Sequence, residues 1–221
     1  MDLNHPGESL ITSVEKQKRR TYRYNIYLND NYAFSIHEDM LIKYRLLKGE
    51  VVNREQLKTI IAEEDRHQAF LAAISYIGRR PRSKKEVARK LKEKGYEEET
   101  ISTIIQRLVE QKYLDDEQFA KMWTEHRIFS QKKGRRWVQQ ELSQKGIASD
   151  LILSAFSEVT EESEYECAMV IALKKWKVVK GEKMERRRKL AAFLLQRGYT
   201  NSMVRNIVKQ VTNKSIDDLD D

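Results

Sequence analysis

The stretch KLKEKGYEEETI at residues 90–101 decides the fold, because its pattern occurs twice more along the chain. ELSQKGIASDLI at 141–152 and FLLQRGYTNSMV at 193–204 have the same arrangement. In each, an amphipathic segment ends at a glycine, a large apolar residue follows, and a second amphipathic segment begins. Recurrence at intervals of about fifty residues indicates a tandem structural repeat.

Apolar residues recur at the same distances from each of these three glycines. Four residues before the glycine stands a leucine: Leu91, Leu142 and Leu194. Twenty-six residues before it stands an alanine: Ala69, Ala120 and Ala172. Six, nine, ten and thirteen residues after it, small or large apolar residues form the stripe of an amphipathic helix. Because glycine readily adopts the left-handed conformation that ends a helix, each unit is predicted to be three helices with the glycine between the second and the third.

The N-terminal part of the chain has a different period. Residues 9–36 alternate in polarity, which predicts a β-hairpin with its turn at 29–31, joined by a third strand at 11–17. Helices are predicted over 38–49 and after Asn53, a favourable N-cap. The predicted fold class is mainly α, with three tandem three-helix repeats of helix-turn-helix-like form after a small N-terminal β-hairpin/helix region. The predicted segments are the N-terminal region 1–67, the repeats 68–116, 117–163 and 164–214, and an acidic tail 215–221.

Composition narrows the class of protein. Charged residues make up 34% of the 221, and the formal net charge is +8, which favours binding to polyanions. Cys167 is the single cysteine, so an internal disulfide and a thiolate metal cage are excluded, and a small buried side chain is predicted there. Neither a secretory signal pattern nor a membrane-length apolar run is present, so a cytoplasmic location is expected.

Basic residues gather at the start of the second helix of every repeat. Cations at a helix N-terminus oppose the helix dipole at a cost of roughly a few tenths of a kcal/mol each, so their recurrence there suggests a function. Exposed N–H groups beside Lys and Arg are typical of phosphate sites, and a tryptophan among them could stack on bases. An ordinary solvated charged surface is the alternative. Lys84, Lys85, Arg135 and Arg136 are expected to be exposed. The candidate binding residues are Arg79, Arg80, Arg82, Lys84, Lys85, Lys132, Lys133, Arg135, Arg136, Trp137, Arg186, Arg187 and Arg188.

Signals for catalysis are weak. The acids Asp115 and Asp116 are interpreted as the start of a helix rather than as a magnesium site. Nucleotide-binding and nucleophile motifs are lacking. We therefore expect no enzyme activity, no cofactor and no metal site. Four histidines lack metal-ligand spacing in the sequence: His5, His37, His67 and His126.

Three segments resemble the signature segments of the RecX family, bacterial regulators of the RecA recombinase. They are RRPRSKKEVARKLKEKGY at 79–96, YLDDEQFAKMW at 113–123 and KGRRWVQQELSQKGI at 133–147. The resemblance extends from about Ala69 to Val211 and is looser in the third repeat, where Arg186 stands in place of a cap-like residue. The N-terminal region also resembles the extension of longer family members.

The resemblance implies a non-enzymatic, cytoplasmic modulator without a cofactor and without membrane contact. Its partner would be the RecA filament, bound along the groove, with single-stranded DNA touched directly or through the filament. It would restrain the ATPase, strand-exchange and coprotease activities of RecA in DNA repair and the SOS response, and a monomer is expected.

Two other classes stay open. A helix-turn-helix-like protein could act on DNA directly, although the segments YEEE at 96–99 and IASD at 147–150 would then place acids against phosphates. A purely protein-binding helical scaffold would leave the basic clusters without a role.

Overall fold

Strands come first along the chain and helices follow. The structure, a computed structural model, describes residues 7–217, with side chains described through residue 213. Of the described residues, one compact unit comprises 7–80 together with Ala88–Leu108, and a second comprises Pro81–Val87 and 109–217.

An antiparallel sheet with strand order β3-β2-β1-β4 opens the first unit. The turn between β2 and β3 is made by Asn29 and Asp30, whose φ angles of 46° and 63° suit a two-residue hairpin. The predicted hairpin and its third strand are thereby confirmed. The core on this sheet is apolar and centres on Ile11, Ile26 and Ile36. The strands are β1 (Glu8–Lys16), β2 (Arg23–Leu28), β3 (Asn31–His37) and β4 (Val51–Asn53).

The helix predicted over 38–49 is shorter than expected. Helix α1 covers only Glu38–Lys43, and Arg45 has a φ of 49°, which turns the chain away from the helix. The amide of Ile11 donates to the carbonyl of Glu50 at 2.9 Å, so the following segment pairs with β1 and forms β4. The predicted end of this helix was wrong, because the chain turns at Arg45 and the Gly49 amide donates to the Ile11 carbonyl at 2.9 Å, just before β4.

Helix α2, Arg54–Ile77, begins at the predicted cap. The Asn53 side chain accepts from the Gln56 amide, and the Gln56 side chain accepts from the Asn53 amide, both at 2.9 Å. This capping box satisfies two backbone donors that a helix start leaves unpaired. The helix then runs without interruption through the predicted boundary at 67/68.

The remaining described elements are helices, and no strand lies within the described part of the three repeats. The first repeat uses the end of α2, and α5 is continued by a π-helical turn at His126–Ser130. The helices are α3 (Lys84–Glu93), α4 (Glu98–Glu110), α5 (Asp116–Glu125), α6 (Arg135–Gln144), α7 (Ser149–Ala155), α8 (Glu161–Val178), α9 (Lys183–Gln196) and α10 (Asn201–Asp217).

All three corners have the same backbone geometry. The φ angles are 87° at Gly95, 79° at Gly146 and 89° at Gly198. In each corner the amide after the glycine donates to the carbonyl of the leucine four residues before the glycine, at 3.1–3.3 Å. This Schellman arrangement ends the second helix and starts the path to the third. The repeated corner is therefore confirmed.

The recurring alanines and leucines are core residues. Their exposed fractions lie between 0% and 1% at all six positions: Ala69, Leu91, Ala120, Leu142, Ala172 and Leu194. Cys167 is buried as predicted, at 5% exposure.

Candidate polyanion-binding surface

The N-terminus of a second helix contacts the corner of the next repeat. Ser83 Oγ donates to the carbonyl of Lys145 at 2.7 Å, and the Gly134 amide donates to the carbonyl of Arg197 at 2.7 Å. Ser83 and Gly134 occupy equivalent positions, as do Lys145 and Arg197, which directly precede corner glycines. The basic first turns of α3 and α6 therefore lie at junctions between repeats.

One position of the basic turn is exposed in every repeat. Ten residues before the corner glycine stand Lys85, Arg136 and Arg188, and all three are exposed. Among the described residues, these three side chains have neither a hydrogen bond nor an ion pair to an acid. We call them the outer cation row. They are exposed cations in equivalent places, which is the electrostatic requirement of a polyanion site. Arg188 is also close enough to Glu185 to contribute, after Lys189, to lowering the pKa of that carboxyl.

The residue directly before each member of the outer cation row is half-buried in every repeat. These residues are Lys84, Arg135 and Arg187. Arg135 Nη2 donates to the carbonyl of Val159 at 2.7 Å, and Nε lies 3.7 Å from Glu164, whose side chain is 4% exposed. The expectation of exposure was therefore wrong for Lys84 and Arg135, which are half-buried, and is confirmed for Lys85 and Arg136. The guanidinium of Arg135 ties α6 to the loop before α8.

Arg82 also belongs to the interior of the junction. Its side chain is 10% exposed, with Nη1 3.8 Å from Glu86, and Lys145 Nζ approaches the same carboxylate at 2.8 Å. Glu86 also accepts from the Ser83 amide at 3.2 Å, and Ser83 Oγ accepts from the Glu86 amide at 3.2 Å, which makes a capping box at the start of α3. These charges neutralise one another and are not offered to a ligand.

In the second repeat, a lysine of the basic cluster covers one face of Trp137. Lys133 Nζ lies 3.7 Å from the centre of the Trp137 ring, and burial lowers the pKa of Lys133. Trp137 itself is 37% exposed. Lys132 has a φ of 52° and its Nζ lies 3.4 Å from Cys167 Sγ. One face of the indole is thus occupied by a cation, which leaves only the rest of the ring for a base.

The remaining candidates also include both a cation packed against a neighbouring helix and cations that are exposed. Arg186 Nη2 donates to the carbonyl of Trp176 at 2.9 Å, and its guanidinium lies 4.0 Å from the centre of that ring. Arg186 therefore holds α9 against α8, since Trp176 is buried at 8% exposure. Arg79 and Arg80, in the first unit, are exposed.

The residues around the corners on which these helix starts pack were not singled out from the sequence. Lys145 Nζ and the guanidinium of Arg127 each lie 4.3 Å from the centre of the Trp123 ring. Trp123 Nε1 in turn donates to Glu141 at 3.0 Å. A signal was present, because a cation directly precedes every corner glycine, as Lys94, Lys145 and Arg197.

The acids proposed as a helix start are structural. Asp115 N-caps α5 by accepting from the Gln118 amide at 2.9 Å. Asp116 accepts from the Lys84 amide at 2.9 Å, and burial raises the pKa of Asp116. Both carboxylates already serve backbone donors.

The histidines do not all stand apart as the sequence suggested. His37 and His67 lie 3.2 Å apart, Nδ1 to Nε2, although they are distant in sequence. His126 lies elsewhere, 3.1 Å from the Gln131 amide nitrogen, and His5 falls outside the described residues.

Among the described residues, none of the helices is long and apolar enough to span a bilayer. Three-helix repeats, with the second-helix starts of the first two packed on the corner of the next and an exposed cation ten residues before each corner glycine, define a tandem helical-repeat protein with a candidate polyanion-binding surface.

Comparison with models of known protein families identifies the family of this chain. The model of the regulatory protein RecX N-terminal domain matches residues 9–53. Models of the first, second and third RecX three-helix domains match 69–108, 115–155 and 161–208. The chain belongs to the RecX family.

Relatives and solved structures agree with this assignment. The regulatory protein RecX of Clostridium perfringens (strain 13 / Type A) is 32% identical over 92% of this chain and 96% of its own length. That of Halalkalibacterium halodurans is 35% identical over 93% of this chain and 79% of its own. A crystal structure of regulatory protein RecX superposes with a TM-score of 0.69 at 31% identity, covering 91% of this chain and 99% of that one. RecX from Lactobacillus salivarius, at 23% identity and a TM-score of 0.61 over 67% of this chain and 97% of that one, shares the fold.

Proposed function

We propose that this protein is a non-catalytic regulator of RecA that binds the RecA filament on single-stranded DNA. There it restrains the DNA-dependent ATPase, strand exchange and coprotease activities. Membership of the RecX family supports the regulatory role. The observation that carries the binding mode is the outer cation row, Lys85, Arg136 and Arg188, which is exposed at the equivalent position of each repeat.

Direct reading of DNA by the third helices is less well supported. The residues after the first corner, Glu97, Glu98 and Glu99, are exposed acids at the start of α4. Carboxylates at the leading end of a recognition helix would repel phosphates. The starts of the second helices, rather than the third helices, are therefore the favoured contact site for phosphates.

The test is a triple alanine variant of the outer cation row. We expect this variant to inhibit the DNA-dependent ATPase of RecA more weakly than the wild type. We also expect the salt dependence of filament binding to become shallower, by a log–log slope of about 0.7 for each phosphate of single-stranded DNA that the variant no longer neutralises. Because the three side chains are exposed, thermal unfolding should be unchanged.

A matched control removes the same charge from other exposed positions. It replaces three exposed cations of α8 and α10 with alanine: Lys174, Arg205 and Lys209. The control should inhibit like the wild type. Equal inhibition by the row variant and the wild type, with an unchanged salt slope, would show that the row is ordinary surface charge.

A further inference from the structure

Two histidines and an aspartate meet at the junction of sheet and helix in the first unit. His37 ends β3, Asp39 lies in the first turn of α1, and His67 lies in the middle of α2. His67 Nε2 lies 3.2 Å from His37 Nδ1 and 3.3 Å from Asp39 Oδ2, and His37 Nδ1 lies 3.4 Å from the same oxygen. The three atoms form a nearly equilateral triangle.

The distances between these three atoms indicate which coordination geometry they would suit. Three ligands at tetrahedral angles around a metal with bonds of 2.0–2.1 Å are separated by about 3.3–3.4 Å. An octahedral arrangement at similar bond lengths would bring neighbouring ligands to about 3.0 Å. The observed separations of 3.2, 3.3 and 3.4 Å match the tetrahedral case more closely.

Neighbouring contacts hold the ligand atoms in place. Glu64, one helical turn before His67, accepts from the His37 amide at 3.0 Å and from Arg23 Nη1 at 2.9 Å. This buried carboxylate joins the end of β3 to α2 where the two imidazoles meet. The Asp39 amide donates to His37 Nδ1 at 3.2 Å, so that nitrogen carries no proton, and a metal bound there would take over the lone pair that now accepts from this amide.

The environment suits a metal that can exchange with solvent. The histidine side chains are 15% and 16% exposed, while that of Asp39 is 64% exposed. Burial lowers the pKa of His67, and the neighbouring His37 adds to the effect, which favours the neutral, ligating imidazole. Two imidazole nitrogens and one carboxylate select Zn²⁺ and its transition-metal neighbours over Ca²⁺ and Mg²⁺, which prefer oxygen ligands.

We propose that His37, Asp39 and His67 form a site for Zn²⁺ or a similar divalent transition metal, with water as the fourth ligand. The metal takes the place of the Nε2 proton of His67, which in its absence is shared with His37 and Asp39. Binding ties β3 and α1 to α2 and so stabilises the first unit. The site is independent of the outer cation row and of the RecA proposal.

The experiment uses the full-length chain without an affinity tag, stripped of metal with a chelator and titrated with zinc chloride by calorimetry. We expect one saturable site. Affinity should fall by at least about tenfold in His67→Ala and in Asp39→Asn, since even loss of an outer-shell partner costs that much. The control His126→Ala, which removes a histidine from the π-helical turn, should bind like the wild type.

Two further measurements make the result decisive. Zn²⁺ should raise the melting temperature of the wild type and of His126→Ala but not of the two ligand variants. Co²⁺ should give the intense visible bands of a tetrahedral centre. Absence of a saturable site would show that the triangle is only a hydrogen-bonded cluster, and undiminished binding in Asp39→Asn and His67→Ala would place the metal elsewhere. Circular dichroism checks that both variants fold, and Asp39→Asn, which alters an exposed side chain, remains a test if His67→Ala does not.

Discussion

At the scale of single residues, adjacent arginines at the start of α6 have opposite roles. Arg135 binds the Val159 carbonyl and approaches Glu164, whereas Arg136 is exposed. Successive residues of an α-helix point about 100° apart, so one faces the neighbouring segment and the other faces solvent. Charge alone does not distinguish them.

This division predicts different effects of two alanine substitutions. Arg135→Ala should lower the free energy of unfolding by about 1–3 kcal/mol, because it leaves the Val159 carbonyl without its donor and removes the cation beside the buried Glu164 carboxylate. The hydrogen bond from the Arg135 backbone amide to Glu164 would remain. Arg136→Ala should stay within about 0.5 kcal/mol of the wild type, as is usual for exposed positions. Urea unfolding followed by circular dichroism measures both. Equal stability of the two variants would contradict a structural role for Arg135.

At the scale of elements, the junctions between repeats differ in how closely the backbones approach. A Cβ added to Gly134 would lie 2.4 Å from the backbone of Gly198 and Tyr199. Ser83, at the equivalent position of the first repeat, instead reaches Lys145 through its hydroxyl. The glycine is therefore needed for close packing, since its φ of −78° is open to any residue.

The corner glycines should consequently tolerate alanine to different degrees. Gly95→Ala should cost about 1 kcal/mol, which reflects the left-handed conformation alone, because no atom lies within 4 Å of the added Cβ. Gly198→Ala should cost about 1–3 kcal/mol more, since its Cβ would lie 2.4 Å from the Trp137 amide nitrogen, which is backbone and cannot move aside. Chemical denaturation of the two variants provides the comparison. A Gly198→Ala variant no less stable than Gly95→Ala would show that the junction yields easily.

At the scale of the whole molecule, the carboxylates most like a nuclease centre are used for folding. Asp115 caps α5 and Asp116 binds the Lys84 amide. We therefore expect the purified protein to show no metal-dependent cleavage of single- or double-stranded DNA, and no ATPase or protease activity of its own. Assays with Mg²⁺ and Mn²⁺ test this. Cleavage that disappears in the Asp115→Asn, Asp116→Asn double variant would overturn the non-enzymatic assignment.

The sequence by itself determined the repeat architecture. Helical periodicity, the leucine before each corner and the glycine at it are local properties, and the Schellman hydrogen bonds close within six residues, so the pattern could be read without knowing what packs on it. The hairpin turn at Asn29 and Asp30 and the cap at Asn53 were predictable for the same reason. The end of the helix predicted over 38–49 was not, because the chain leaves the helix to bring residues 51–53 onto the edge of β1, which is distant in sequence.

Only the tertiary structure decided which charged residues form a surface. Ser83 meets Lys145, Arg135 meets Glu164, and His37 meets His67, and each pair is separated by about thirty residues or more, beyond the reach of any local pattern. In stacked repeats, the neighbouring segment determines which face of a helix start is buried. The outer cation row and the histidine triangle could therefore be seen only once the chain had folded.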